Sequence, residues 1–271
     1  MAVPTEIGDD ERQHLDERGF VVLRQAFDPR PLSEEIDRSL AVGWSDGAPL
    51  HRGGGDVRFR YLPMTSTRTP VSLGLLEGFL AAAEALLGRP VLPGRAKGTE
   101  YLGGADWHRD SDLGVPSVGF LAYLEPLRAG QGALRVLTGS NRHREPAAVA
   151  AALADADARG EEAGEAVETD PGDVVVLDEH VVHGSSGGER RRQWRVDYVV
   201  EPRGEAEEVE VRAWYAGLFP PGWEPGYDLV RFPSFGPDWL GSGRPWVAPM
   251  ARLGAYEAAA REEAFVRSRR P

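Results

Sequence analysis

Val174-Val175-Val176-Leu177-Asp178-Glu179-His180-Val181-Val182-His183-Gly184-Ser185 decides how this chain is read. Four apolar residues, three of them β-branched, are too few for a helix and suit a buried strand. That strand runs directly into two acids and two histidines, so a buried element delivers ionisable side chains at its end. The chain has six histidines in 271 residues. A third one, His108, stands in Trp107-His108-Arg109-Asp110. Residues two apart on an extended segment project to the same side. His108 and Asp110 therefore offer an imidazole and a carboxylate to a common point.

Two imidazoles and one carboxylate on one face of a metal leave three positions open, which suits a ferrous ion that must take O2 and a cosubstrate together. Spacing alone favours a plainer explanation, a hydrogen-bonded loop pair, because H-x-D plus a distant His occurs by chance in many chains. Context favours the metal. Downstream of His183 comes Arg190-Arg191-Arg192-Gln193-Trp194-Arg195, then the strand Val196-Asp197-Tyr198-Val199-Val200. Arginine is the natural bidentate partner of a carboxylate. Most of this run suits a solvated hairpin turn, and only one member need point inward. Arg195 shares a face with Asp197 and Val199 and is the first choice; Arg192 is the second. His180 reads as an exposed turn residue, and His143 as surface.

Outward from these segments, the chain reads as helices first and short strands after. Helices are expected over Glu11–Arg18, Leu32–Leu40 and Ser72–Leu87, the last with a wide apolar stripe closed by Gly88-Arg89-Pro90. Strands are expected at 19–24, 57–62, 97–102, 118–124, 133–137, 173–177 and 195–200. Ala147–Ala158 reads as an inserted helix, and Arg159–Asp170 as a solvated acidic loop. A tail rich in aromatics, Pro and Gly follows residue 201 and ends in a charged helix. Trp214, Tyr215, Phe219, Trp223, Tyr227, Phe232, Phe235, Trp239 and Trp246 either cover the site, stacking on ring or sugar faces, or fill a core. The expected architecture is mainly β with flanking helices, a double-stranded β-helix (a cupin-like jelly roll). No strand leads into the Gly-rich turn and helix of dinucleotide-binding folds. No linker divides the chain, so residues 1–271 are expected to form one domain with an insertion near 145–170 and a C-terminal extension over 201–271.

Composition narrows the function. Without cysteine there is no thiolate metal site, iron–sulfur cluster or disulfide scaffold. A formal net charge of −12 argues against nucleic acid and anionic membranes as partners and leaves a small-molecule substrate. No apolar run reaches the ~18 residues that suggest a membrane span. The N-terminus lacks the pattern of a signal peptide, so a cytoplasmic location is expected. Oligomeric state is not legible.

Four segments together resemble a known family: Gly19-Phe20-Val21-Val22-Leu23-Arg24, Trp107-His108-Arg109-Asp110, Gln131–Arg142, and Pro171-Gly172-Asp173-Val174 through His183-Gly184-Ser185. They resemble, in order, segments of the phytanoyl-CoA dioxygenase-like Fe(II)/2-oxoglutarate oxygenases, over roughly residues 10 to 200. The resemblance implies His108, Asp110 and His183 as iron ligands. It implies an arginine about eleven positions beyond His183 that holds the distal carboxylate of 2-oxoglutarate; position 194 is Trp, and Arg195 lies one step later. Ser185 matches a serine assisting that carboxylate. Lys97, Thr99 and Tyr101 fall where further cosubstrate contacts lie. Arg109, Trp107, Tyr123, Trp214 and Trp223 are substrate-pocket candidates, Arg109 facing either the pocket or away from the metal. The implied reaction uses Fe(II), 2-oxoglutarate and O2 to oxidise a C–H bond of a small secondary metabolite, releasing succinate and CO2. Asp110 implies oxygenation rather than halogenation, since related halogenases lack that carboxylate. Antibiotic-tailoring relatives of similar size imply a sugar substrate and orthoester closure, with an acidic chain suiting a cationic aminoglycoside. Alternatives are a hydroxylase of an acyl-CoA or carrier-bound amino acid, a cupin-like isomerase or lyase without 2-oxoglutarate, and a binding protein that has lost its metal.

Overall fold

The computed structural model describes residues 7–44, 50–143, 145–159, 162–218 and 226–269. Glycine and proline punctuate them into short elements. First come α1 (Asp9–Arg18), β1 (Phe20–Leu23), α2 (Pro29–Gly43), β2 (His51–Arg52), β3 (Arg58–Pro63) and α3 (Pro70–Leu87). Next are β4 (Val91–Pro93), β5 (Lys97–Leu102), β6 (Ser117–Tyr123), β7 (Gln131–Val136) and α4 (Pro146–Ala158). Then follow β8 (Glu165–Val167), β9 (Val174–Asp178), β10 (His183–Gly187) and β11 (Arg191–Val200). Helices α5 (Glu205–Gly217), α6 (Pro237–Leu240), α7 (Val247–Arg252) and α8 (Ala255–Arg269) complete the chain.

The strands form two antiparallel sheets. The larger has the order β1-β9-β6-β11-β5-β3-β2, with β4 added to β11; the smaller is β10-β7-β8. Val174, Val175, Val176 and Leu177 are fully buried, because β9 lies between β1 and β6 with both faces covered. Helices occupy more of the chain than strands do. The composition is therefore mixed α and β rather than mainly β, although the strands are antiparallel throughout.

Strand β11 carries the main division of the molecule. Trp194, Val196 and Tyr198 face α3: the Trp194 indole N–H donates to Ser72 Oγ at 2.7 Å, and the Tyr198 hydroxyl donates to the Leu76 carbonyl at 2.6 Å. Their alternates Arg191, Gln193, Arg195 and Asp197 line a cavity on the other face. Helix α3 begins at Pro70, with two backbone N–H groups, of Val71 and Ser72, donating to the Glu35 carboxylate at 2.9 and 2.8 Å. A carboxylate from α2 thus caps α3 and satisfies donors the helix itself leaves open. By length and mean hydropathy, 1.5, α3 meets the test for crossing a membrane, contrary to the expectation that no run approaches that length. Its Leu73, Leu75, Leu76 and Phe79 are buried in the main core, which accounts for the apolarity.

Two further expectations change. Part of the acidic stretch 159–170 is strand β8, paired with β7 through Leu134↔Val167 and Val136↔Glu165. The Arg135 guanidinium draws the preceding loop in, donating to the carbonyls of Ala163, Glu162 and Gly164 at 2.7, 2.7 and 2.8 Å. In the tail, Trp214, Tyr215, Tyr227, Phe232, Phe235 and Trp239 are buried in the main core, so packing rather than site coverage explains them. Phe219 and Trp223 lie outside the described residues.

Candidate active site and metal centre

The segments bearing His108 and His183 are joined backbone to backbone. His108 N–H donates to the His183 carbonyl and His183 N–H to the His108 carbonyl, both at 2.9 Å. Small residues permit this approach: a Cβ on Gly104 would meet the Ser185 carbonyl at 2.6 Å. The two rings stand 4.3 Å apart, centre to centre. Asp110 Oδ1 lies 3.7 Å from His108 Nε2, and Asp110 Oδ2 lies 3.6 Å from His183 Nε2. One ligand atom from each of the three residues falls within 4.8 Å of the others.

This donor set fits a divalent iron. Each imidazole spends Nδ1 on a backbone carbonyl, His108 on Asp106 at 2.7 Å and His183 on Val181 at 3.1 Å. Those contacts fix the tautomer and leave both Nε2 lone pairs directed at Asp110. Burial pushes the His183 imidazole down to about 4, against the attraction of Asp110, so it is neutral and able to coordinate at pH 7. Burial disfavours the Asp110 carboxylate, but Arg195, His183 and His108 outweigh it and hold its pKa well below the usual range. Two imidazole nitrogens and one carboxylate oxygen are separated too widely to hydrogen-bond one another, and they leave the remaining side of an ion open.

The cavity beside this centre has a volume of about 580 Å³. Its long wall is the β5–β11 ladder, with rungs Tyr101↔Arg191, Thr99↔Gln193 and Lys97↔Arg195. At one end the Arg191 guanidinium donates to Ser185 Oγ at 3.1 Å and to the Gly103 carbonyl at 2.8 Å, and it lies over the Tyr101 ring at 5.5 Å. No carboxylate pairs with it among the described residues. Arg195 has opposite surroundings. It donates to Asp197 at 2.5 Å, Asp110 at 2.9 Å and Glu179 at 3.4 Å. Burial opposes its charge, and the three carboxylates outweigh burial. Behind it, burial and then the Asp197 charge push the Glu179 carboxyl up to about 7; this group also accepts the Trp214 indole N–H at 2.6 Å.

The expected site residues therefore sort as follows. His108, Asp110, His183, Ser185, Arg195, Lys97, Thr99, Tyr101 and Tyr123 all line the cavity. Arg195 does not stand beside Ser185; Arg191 does. Arg191 belongs to the basic run singled out by sequence, and it shares the alternation of Arg195, but spacing from His183 did not select it. Arg192 has the parity of Trp194 and points out of the cavity, where it pairs with Glu125 at 2.7 Å and Asp37 at 2.6 Å. Arg109 faces away from the metal centre and donates to the carbonyls of His180 and Ser140 at 2.8 and 3.2 Å. Trp107 packs against Gly164 outside the cavity lining, and Trp214 stands behind Glu179. Trp223 lies outside the described residues. His180 is buried, not exposed. Its Nδ1 meets Asp178 and its Nε2 the Leu113 carbonyl, both at 2.7 Å, so it braces the turn between β9 and β10. His143 is exposed, as expected.

The family model described as phytanoyl-CoA dioxygenase (PhyH) matches residues 15–193, and the chain belongs to that family of non-haem Fe(II)/2-oxoglutarate-dependent dioxygenases. Solved structures repeat its fold. HygX from Streptomyces hygroscopicus, with nickel and 2-oxoglutarate bound, is 18% identical with a TM-score of 0.58; the match covers 72% of this chain and 88% of that one. AviO1 from Streptomyces viridochromogenes Tue57 is 20% identical with a TM-score of 0.55, over 73% of this chain and 96% of that one. EctD from S. alaskensis, with 2-oxoglutarate and 5-hydroxyectoine, is 19% identical with a TM-score of 0.54, over 72% and 77%. A search of curated proteins finds no match.

Proposed function

We propose that this protein is an Fe(II)/2-oxoglutarate-dependent oxygenase that oxidises a C–H bond of a small secondary metabolite, by hydroxylation or by oxidative ring closure. We take its two antiparallel sheets as the double-stranded β-helix of such enzymes, and residues 1–271 as one catalytic domain. The observation that carries this reading is the pairing of two features in one cavity. His108, Asp110 and His183 converge, and an arginine without a carboxylate stands beside Ser185.

With Fe(II) and 2-oxoglutarate bound, the site would use O2 as the four-electron oxidant, two electrons coming from decarboxylation of the keto acid to succinate and CO2 and two from the substrate C–H bond. The chain's own residues provide the rest. His108, Asp110 and His183 hold the ion. Arg191 and Ser185 hold the distal carboxylate, with Tyr101 beneath the guanidinium. Arg195 occupies one oxygen of Asp110 and fixes its carboxylate plane, anchored in turn by Asp197 and Glu179. Leu121, Leu134 and Leu218 give the cavity dry walls, which strengthen each polar contact inside.

The isomerase or lyase reading without 2-oxoglutarate leaves the free Arg191–Ser185 pair unexplained. HygX, solved with nickel and 2-oxoglutarate, and EctD, solved with 2-oxoglutarate and 5-hydroxyectoine, support a metal, a keto acid and a small-molecule substrate in such a cavity. The test is succinate release in air with Fe(II) and 2-oxoglutarate. A slow background without substrate is expected, lost on removal of iron and in H183A. Absence of any iron-dependent succinate, in a protein that binds neither metal nor keto acid, would overturn the reading.

A further inference from the structure

Of the 31 basic residues in the chain, Lys97 is the single lysine. It lies on β5 and lines the cavity, opposite Arg195 in the ladder. Every other cation there is committed or has an assigned anion. Arg95 donates to Ser234 at 2.9 Å and to the Leu218 carbonyl at 3.0 Å, tying the C-terminal segment to the sheet. Arg195 is surrounded by three carboxylates, and Arg191 awaits the keto acid. The Lys97 ammonium makes no hydrogen bond and no ion pair among the described residues. The charges acting on it are, in order of strength, those of Asp197, Arg195, Arg95 and Asp110, so its ammonium belongs to the end of the cavity away from Arg191.

That end is the wrong place for the cosubstrate's distal carboxylate. Lys97 and Tyr101 are four residues apart on one strand, a separation of about 13 Å at ~3.3 Å per residue. Four carbon–carbon bonds carry a five-carbon keto acid only about 5 Å from end to end. Held at the Arg191 rung, it ends short of the Lys97 rung. The neighbouring acids do not balance Lys97 either, because Arg195 already engages Asp197, Asp110 and Glu179. Burial accordingly lowers the Lys97 pKa. Lys97 is half-buried, and a partly desolvated cation without a counter-ion gains from a ligand anion. On the neighbouring strand β3, Tyr61 stands opposite Thr99, two residues from Lys97, while Phe59 stands opposite Tyr101 at the Arg191 rung, their rings 6.4 Å apart along the cavity wall.

We infer that the substrate carries an anionic group, a carboxylate or a phosphate, seated on Lys97, with its apolar body against Tyr61. This rests on the oxygenase reading and deepens it; it also departs from the cationic aminoglycoside that overall charge suggested, since the carboxylates around Lys97, those of Asp197, Asp110 and Glu179, are engaged by Arg195.

A single lysine makes the test direct, because 15N-lysine labelling gives one side-chain signal. The protein is loaded with Zn(II) and saturated with 2-oxoglutarate, and the signal is followed as ligands are added. Phenylacetate and phenyl phosphate are the anionic probes, distinguishing the two sources of charge; benzyl alcohol and benzylamine are the controls. At least one anion is expected to shift the Lys97 signal and to bind about tenfold or more tightly than either control, a preference lost in K97M. K97M is expected to bind 2-oxoglutarate within about twofold of the wild type, which also shows that it is folded. The inference is overturned if 2-oxoglutarate alone shifts the signal as the anions do, if the controls bind equally well, or if the preference survives in K97M. Failure of the wild type to bind 2-oxoglutarate at all is a different result: it overturns the oxygenase reading itself.

Discussion

Arg191 and Arg195 stand on the same face of one strand, four residues apart, and meet opposite surroundings. Arg195 is saturated by Asp197, Asp110 and Glu179, whereas among the described residues Arg191 meets a hydroxyl, a carbonyl and an aromatic ring but no carboxylate. The residue type is the same, and the strand parity is the same. Partners decide the role: a guanidinium whose donors are spent on internal carboxylates is structural, and one whose donors meet only neutral oxygens keeps an uncompensated charge that suits an external anion. On the proposed reading, the strand carries a brace for the metal ligand at one point and an anion site at another.

The largest effect is expected from removing what both arginines serve. H183A loses one of three donors and is expected to lose at least about a thousandfold in substrate-dependent succinate formation, with metal binding lost in parallel by calorimetry. If H183A retained wild-type metal affinity, the two ends of the ladder would have no common centre. A smaller effect is expected behind the metal. R195A leaves Asp110 unbraced and is expected to weaken divalent-metal affinity by about 10- to 100-fold. R195K is expected to recover part of that loss, because a single ammonium replaces one donor of the fork.

A third expectation concerns the turn that presents His183. Asp178 is partly buried and accepts from the His180 ring and backbone and from Asn141. Burial opposes its ionisation, but those hydrogen bonds lower its pKa below the unfolded value. Stability from Asp178 is therefore fully present above the unfolded pKa, about 3.9, and is lost as pH falls through the lower folded value. D178N is expected to unfold with about 1–3 kcal/mol less stability at pH 7. The gap should narrow below about pH 4 in urea melts. A gap that widened in acid would contradict this sign. Smallest of all is the change at Arg192, which points away from the cavity. R192A is expected to cost about 0.5–1 kcal/mol in stability and to leave the KM for 2-oxoglutarate unchanged. A large KM effect would reverse the sorting of the basic run.

The contrast also marks where sequence suffices. The three metal-site residues were legible, because H-x-D is local and the apolar run of β9 delivers His183 to the same place. Several elements were legible to within a few residues, among them α3 and β5, because apolar periodicity and bounding glycines specify them. Which arginine stands beside Ser185 was not legible. That choice depends on the short β10–β11 turn and on the register Arg191↔Tyr101, which only the paired strands reveal. His180 illustrates the same limit: one of its partners is two residues away, but the other is the distant carbonyl of Leu113. Composition could not separate a cover from a core in the aromatic tail, since both need apolar area and differ only in what lies beneath. Lys97 was read as a cosubstrate contact from its strand; its separation from Arg191 and its lack of a counter-ion are properties of the fold.

The most direct measurement is calorimetric titration of 2-oxoglutarate into the Ni(II)-loaded protein, comparing R191A with R195A. R191A is expected to bind the keto acid about 100-fold more weakly, near 2.7 kcal/mol, with its nickel affinity intact. R195A, once saturated with nickel, is expected to bind it within about threefold of the wild type. The reverse pattern, with keto-acid affinity lost in R195A and kept in R191A, would contradict the assignment of the anion site.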